Sequence, residues 1–311
     1  MGRRRGRRRK RKGRRGGKKN DSLKNLTERL ADYVPIQPDE RIRLETDGEE
    51  MTGRLLDLVA PLGKGQRVLV TSPPKAGKTM ILQRIAKAVE ANHPEIHQVA
   101  LLVDERPEEA TDFRRNVPVE VKASTTDKGP REHIRVAEKV FEDCIKRLLD
   151  GQDVLILLDS LTRLARAYNT QYSNSGRTLS GGVTAGALDR PRQLFGAARN
   201  FEDFGSLTIV ATALVDTGSR MDEVIFQEFK GTGNSEVVLD RKLSERRLFP
   251  AVDICASGTR KEMRLLDDVE SMKIPNLRRK VADMSEIDAL EWLLDRMGKT
   301  HTNLEFLKGM L

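Results

Sequence analysis

The residues best suited to chemistry lie in TSPPKAGKTM, positions 71–80. Gly77, Lys78 and Thr79 match the end of the phosphate-loop pattern G-x-x-x-x-G-K-[ST], with Ser72 standing where the first glycine belongs. In such a loop, backbone N–H groups surround phosphate oxygens, the lysine reaches the β/γ oxygens, and the threonine hydroxyl turns to Mg²⁺. GKT alone is a weak signal, because the triplet also opens ordinary helices. The context strengthens it: the apolar run RVLVT (67–71) precedes the loop and a helical pattern (79–92) follows. Pro73 and Pro74 offer another way to fix the turn that the missing glycine would make.

Two further carboxylates fit the same chemistry. Asp159 directly follows the apolar run of VLILLDS, where it would hold Mg²⁺ through water; the competing role is a helix N-cap. Glu105 ends LLVDE and could polarise an attacking water, a task that depends on position more than on an unusual pKa. Asp104 beside it is the rival, and the sequence separates the two only weakly.

These groups require a scaffold of buried strands with helices between them. Strand patterns occur at 67–71, 98–105, 119–124, 153–160, 206–214 and 235–240, and helical patterns at 79–92, 107–115, 130–149 and 185–200. In the 130–149 helix, Ile134, Ala137, Val140, Phe141, Cys144, Ile145 and Leu148 recur at three- and four-residue intervals. VLILL is apolar throughout, as in a strand covered on both faces, and alternating strands and helices predict a mainly parallel α/β sheet. The last forty or so residues read as small helices, one with Ser285 as N-cap and Gly298 beyond its end. Residues 21–57 are polar and charged and read as a connector with a strand or two at most.

Charge is divided unevenly along the chain. There are 56 basic and 47 acidic residues, a net +9, but thirteen of the basic ones fall in the first nineteen positions. The remainder carries −4, so any basic surface on the body must be local. Residues 1–20 contain no hydrophobic residue after Met1 and are expected to be disordered. No long apolar run or signal-type leader is visible, which argues against a membrane partner. Cys144 and Cys255 lack metal-ligand spacing and read as buried thiols of a cytoplasmic protein. One Trp and three Tyr are few for an extended base-stacking surface.

The series LGKGQR, PPKAGKTM, DERPEE, LLDSLTRLARAYN, GGV, FGAARN, ATALVDTGSRMDEVI, EFKGTGN, RRLFPAVD and SGTRKE occurs in the order found in the Rho family of transcription termination factors. The resemblance covers about residues 50–311, and rotary ATP synthase subunits and recombinases share the phosphate loop without this series. It implies a RecA-like P-loop ATPase over 58–311, behind a 1–20 tail and a 21–57 connector. It also implies a homohexameric ring that binds ATP between subunits and draws single-stranded RNA through its centre as a helicase, with RNA polymerase as a further partner.

Residue by residue, Lys75, Ala76, Gly77, Lys78, Thr79, Met80 and Arg106 resemble the nucleotide-binding positions. The segment Gly63, Lys64, Gly65, Gln66, Arg67 and Val68 would lie close by, and Met80 and Phe249 would hold the adenine. Glu105 would be the catalytic base, Asp159 the Mg²⁺-linked carboxylate, and Arg260 an arginine finger reaching a neighbour's ATP, with Arg247 in support. Arg177, Thr178, Gly181, Thr217, Gly218 and Arg220 would contact RNA. The family usually has lysine at the positions of Arg177 and Arg220; arginine keeps the charge and can fork onto a phosphate. The family's OB-type RNA-loading domain does not fit into the residues before 58, which puts pyrimidine preference and termination in question. The basic tail would tether RNA non-specifically. Two other readings are a non-translocating binding module and a RecA-type motor acting on DNA or protein.

Overall fold

The computed structural model describes residues 23–46, 49–173 and 180–310. In chain order the strands are β1 Pro35–Ile36, β2 Arg41–Ile42, β3 Leu62–Gly63, β4 Arg67–Ser72, β5 His97–Glu105 and β6 Glu120–Thr125. They continue with β7 Val154–Asp159, β8 Arg199–Phe201, β9 Ser206–Leu214, β10 Ser235–Val238 and β11 Gly258–Thr259. The helices are α1 Leu23–Arg29, α2 Met51–Val59, α3 Lys78–Asn92, α4 Pro107–Asn116, α5 Pro130–Leu149 and α6 Leu161–Tyr172. After them come α7 Asp189–Gly196, α8 Arg220–Lys230, α9 Arg241–Glu245, α10 Asp268–Val281, α11 Glu286–Met297 and α12 Asn303–Gly309.

The main sheet runs β11-β10-β4-β9-β7-β5-β6. Every pairing from β10 to β6 is parallel, and β11 closes one edge antiparallel. Because side chains alternate along a strand, each buried strand feeds two cores. Val68, Val70, Ala100, Leu102, Leu155 and Leu157 face α2, α3 and α10–α12. Leu69, Val99, Leu101, Val103, Val154, Ile156 and Leu158 face α1 and α5–α7. Parallel order puts the carboxyl ends of β4, β5, β7 and β9 along one edge, where α/β sheets bind ligands.

Four expectations change. The 21–57 stretch contains α1, most of α2 and two short strands, and it is built into both cores through Leu23, Leu26 and Leu30 on one face and Ile42, Leu44, Leu55 and Leu56 on the other. The helix expected over 185–200 is only α7, because Arg199–Phe201 leaves it to pair with β9 and β1. The 235–240 strand stops at Val238, and Asp240 instead caps α9. Cys144 is buried as expected, but Cys255 is exposed.

Buried charge fastens the amino-terminal segment to the carboxyl-terminal helices. The fully buried Arg54 of α2 donates to Asn303 Oδ1 at 3.3 Å, Met297 O at 3.0 Å, Thr300 O at 2.7 Å and Thr300 Oγ1 at 2.9 Å. Asp57, one turn on, accepts from Leu44 N at 3.0 Å and Glu45 N at 2.8 Å. Gly53 lets this approach happen: a Cβ there would sit 2.0 Å from Leu44 O. Arg54→Ala strands several buried acceptors and is expected to cost about 3–5 kcal/mol of stability. Chemical denaturation followed by circular dichroism checks this; a loss below about 1 kcal/mol would show that water replaces the guanidinium there.

Candidate functional site

The loop expected to hold phosphate leaves the carboxyl end of β4. Ser72 is buried, and its Oγ donates to Pro73 O at 2.9 Å. The chain then takes left-handed turns at Lys75 (φ 67°) and Gly77 (φ 94°), while Ala76 is buried beneath them. Glycine is needed at 77, where a β-carbon would be strained. Gly77 is also the N-cap of α3, whose first turn carries no acidic residue. The positive end of that helix is therefore left to an anion.

Two carboxylates meet at Lys78. Its Nζ lies 2.7 Å from Glu105 Oε1 and 2.7 Å from both Oδ1 and Oδ2 of Asp159. Burial would lower the ammonium's pKa, but the Asp159 and Glu105 carboxylates outweigh it and raise it. Asp159 also accepts from Thr212 Oγ1 of β9 at 2.7 Å. The N-cap of α6 is Ser160, which accepts from Arg163 N, so the capping role proposed against Asp159 is filled by its neighbour. Glu105 is pushed up to about 7, first by burial and then by the Asp159 charge, with Lys78 opposing. Its Oε2 finds no hydrogen-bond partner among the described residues, although the Arg163 guanidinium stands 3.4 Å away. Asp104 faces His133 and Arg163 instead, so of the two carboxylates it is Glu105 that meets Lys78.

The donor set suits Mg²⁺ and a nucleotide. Thr79 Oγ1 and Asp159 Oδ2 are 3.4 Å apart, a hydroxyl and a carboxylate of the kind that hold Mg²⁺ together with waters and phosphates. Met80 and Phe249 are both exposed; a Cβ on Gly77 would lie 3.5 Å from Met80 Cε and 3.9 Å from Phe249 Cε1, so the two flank the loop together. Arg106 is exposed at the start of α4, 4.0 Å from Glu109.

Other expected residues lie elsewhere. Gly63–Val68 is not beside the loop of its own chain. It enters β4 at the opposite end, where Lys64 pairs with Glu40 at 2.7 Å and Asp153 at 2.9 Å, and Gly65 N donates to Thr208 Oγ1 at 2.9 Å. Arg67 donates to Thr232 O and Ala198 O, at 2.8 and 2.9 Å. Arg260 is at that same end, following β11, with Thr259 opposite Ser235 and Ser235 opposite Val68. Arg247 is two residues from Phe249 on the loop side, so the two arginines are separated by the length of β10. A 390 Å³ cavity lined by Gly65, Arg67, Arg199, Asn234, Arg260 and Lys261 marks the far end.

The two segments expected to meet RNA do come together. Gly181 (φ 74°) packs against α8, where a Cβ would lie 2.8 Å from Val224 Cγ2 and 3.1 Å from Arg220 O. Thr217 Oγ1 donates to Asp222 Oδ2 at 2.6 Å, and Asp222 pairs with Arg166 of α6. Gly218 has open space around it and Arg220 is exposed. Arg177 and Thr178 lie outside the described residues. Sequence reasoning missed Thr212 and Arg163. Thr212 is legible as a hydroxyl inside the otherwise apolar run IVATAL; Arg163 lies on α6, four residues beyond Asp159 at the end of β7, with no separate signal.

Residues 53–259 match the ATP synthase alpha/beta family, nucleotide-binding domain. Among curated proteins, transcription termination factor Rho of Cereibacter sphaeroides is 54% identical over 89% of this chain and 66% of its own length. That of Pseudomonas aeruginosa is 52% identical over 94% of this chain and 70% of its own length, and that of Streptomyces lividans 58% identical over 88% and 39%. The chain thus spans about two-thirds, or less, of these relatives. Among solved structures, a prototypical ATPase from a type III secretion system superposes with a TM-score of 0.73 at 19% identity, covering 88% of this chain and 86% of that one. The assembled ATPase EscN of enteropathogenic E. coli gives 0.72 at 19%, over 88% and 72%. At that identity the structures speak for the fold: a mainly parallel α/β ATPase sheet with helices at its carboxyl-terminal end. With more than half of the aligned residues shared across some nine-tenths of its length, the chain belongs to the Rho family of transcription termination factors.

Proposed function

We propose that this chain is an RNA-dependent ATP hydrolase that assembles into a homohexameric ring and translocates along single-stranded RNA to release transcripts. The observation that carries the reading is Lys78 held between Glu105 and Asp159 at the mouth of the phosphate loop. On nucleotide entry the ammonium turns from the two carboxylates to the β/γ oxygens, and the N–H groups from Lys75 to Met80 surround the phosphates. Thr79 and Asp159 would hold Mg²⁺, which neutralises phosphate charge when bound. Glu105, whose affinity for a proton is raised by burial and the Asp159 charge, is then placed to take a proton from water. Met80 and Phe249 would sandwich the adenine, with Arg106 beside the phosphates.

Arg260 cannot serve its own loop. Across β10, β11 is level with Val68, and the four-residue step from Val68 to Ser72 is about 13 Å of strand. It would act as a finger on a neighbour's ATP, with the Gly63–Val68 segment at the same edge; Arg247 would act from the loop side. Gly181, Thr217, Gly218 and Arg220, with Arg177 and Thr178, would line the channel. RNA polymerase as a partner, a cytoplasmic location, and an RNA-tethering role for residues 1–20 belong to the same reading. Among the described residues no helix is long and apolar enough to cross a membrane.

ATP turnover measured with RNA, with single-stranded DNA and with neither tests this. Stimulation by RNA alone is expected. Full turnover without nucleic acid would overturn RNA dependence, and equal stimulation by DNA would point to a different RecA-type motor.

A further inference from the structure

The carboxyl end of β5 contains an irregularity that decides where Glu105 points. Val103 lies opposite Ser124 of β6 and Glu105 opposite Thr125, leaving Asp104 unpaired with φ 56°. Along β5, Val99, Leu101 and Val103 face α5 and α6, whereas Ala100 and Leu102 face α3. Unbroken alternation would send residue 105 the way of Val103, away from Lys78. The extra residue turns Glu105 back to α3, where it meets the ammonium.

A buried pair of side chains closes around that bulge. Ser124 Oγ is 2.8 Å from Nδ1 of His133, in the first turn of α5, and His133 Nε2 is 3.6 Å from Asp104 Oδ1. Ser124 is 2% exposed and His133 4%. A carboxylate facing Nε2 favours the proton on that nitrogen, which leaves Nδ1 to accept from the serine hydroxyl. The order Ser-His-Asp resembles a hydrolytic triad, yet the hydroxyl is too buried to meet a substrate. From the other side, Arg163 donates to the Asp104 backbone carbonyl and stands 3.8 Å from its Oδ2.

We propose that His133, backed by Ser124, is a positioning residue for Glu105: it pins Asp104 in the bulge and so aims the neighbouring carboxylate at the attacking water. The inference rests on the reading of Glu105 as the base. Its effect should fall on the chemical step, since a displacement of about 1 Å at a reacting group can cost 10²-fold.

The test uses the full chain with saturating RNA, measuring kcat, affinity for a fluorescent ATP analogue, and melting temperature. His133→Leu is expected to lower kcat by roughly ten- to a hundredfold with nucleotide affinity within about twofold. His133→Gln, whose amide can donate to Asp104 and accept from Ser124, should recover most of it. Ser124→Ala, a one-atom truncation that guards against misfolding of the leucine variant, should show a smaller loss of the same kind. In a Glu105→Gln background His133→Leu should add no further loss. Unchanged kcat in Ser124→Ala and His133→Leu would overturn the proposal, as would equal losses in both backgrounds or a parallel fall in nucleotide affinity. Should Glu105→Gln itself keep full turnover, the base assignment fails first and the positioning role falls with it.

Discussion

Lys78→Ala should reduce ATP turnover by about 10²–10³-fold, the scale seen when one preorganised donor to a developing charge is removed. The structure adds a second consequence. Glu105 and Asp159 share this ammonium, and each is all but buried. Without it two carboxylates face one another across a site of low polarity, and one of them must take up a proton or swing outward. Lys78→Ala is therefore expected to lower the melting temperature at neutral pH as well as activity. Adding Glu105→Gln should restore stability but not turnover, because it removes one of the opposed charges while leaving the phosphates without their cation. Calorimetry and a phosphate-release assay on the two variants check this. Normal turnover in Lys78→Ala would remove the phosphate-loop assignment, and an unchanged melting temperature would show that the carboxylates are relieved by water.

The second large effect is expected at Arg260. An arginine finger contributes on the order of 10³–10⁵ in rate, so Arg260→Ala should all but stop hydrolysis while leaving nucleotide binding nearly intact. Arg260 and Lys78 lie at opposite ends of the sheet, which gives the prediction a sharper form. Mixing Lys78→Ala and Arg260→Ala chains should recover a fraction of the activity. Some interfaces then pair an intact loop from one variant with an intact arginine from the other. A finger acting within its own chain could not be rescued in this way, and an inert mixture would count against interface catalysis.

Much of this site is legible in the sequence because it follows from local rules. Apolar runs of strand length, a GKT triplet after one of them and acidic residues after two others put Lys78, Thr79, Asp159 and the Asp104–Glu105 pair at strand ends. Less legible was whatever depends on distant partners. Arg54 and Asp57 fall in the stretch read as a polar connector, yet Arg54 is satisfied by groups from Met297 to Asn303 and Asp57 by the backbone of Leu44 and Glu45. The choice between Asp104 and Glu105 turned on one residue of register against β6, which composition does not encode. Gly63–Val68 sits next to the loop in sequence order, but a six-residue strand carries the two apart. Arg199 and Asn200 left the expected helix because β9 offered hydrogen bonds.

The amino-terminal segment has a practical bearing on where the chain can be cut. From Leu23 to Val59 it covers the α5 face of the sheet with one helix, passes the edge through β1 and β2, and covers the α3 face with another. It is a strap over both sides of the fold. A protein trimmed to residues 58–311 would uncover apolar surface on each face and is expected to aggregate on size-exclusion chromatography, while one trimmed just before Leu23 should elute as a soluble species. The smallest portion that can stand alone is thus set by where the strap begins, at Leu23, well ahead of the phosphate-loop strand that starts at Arg67.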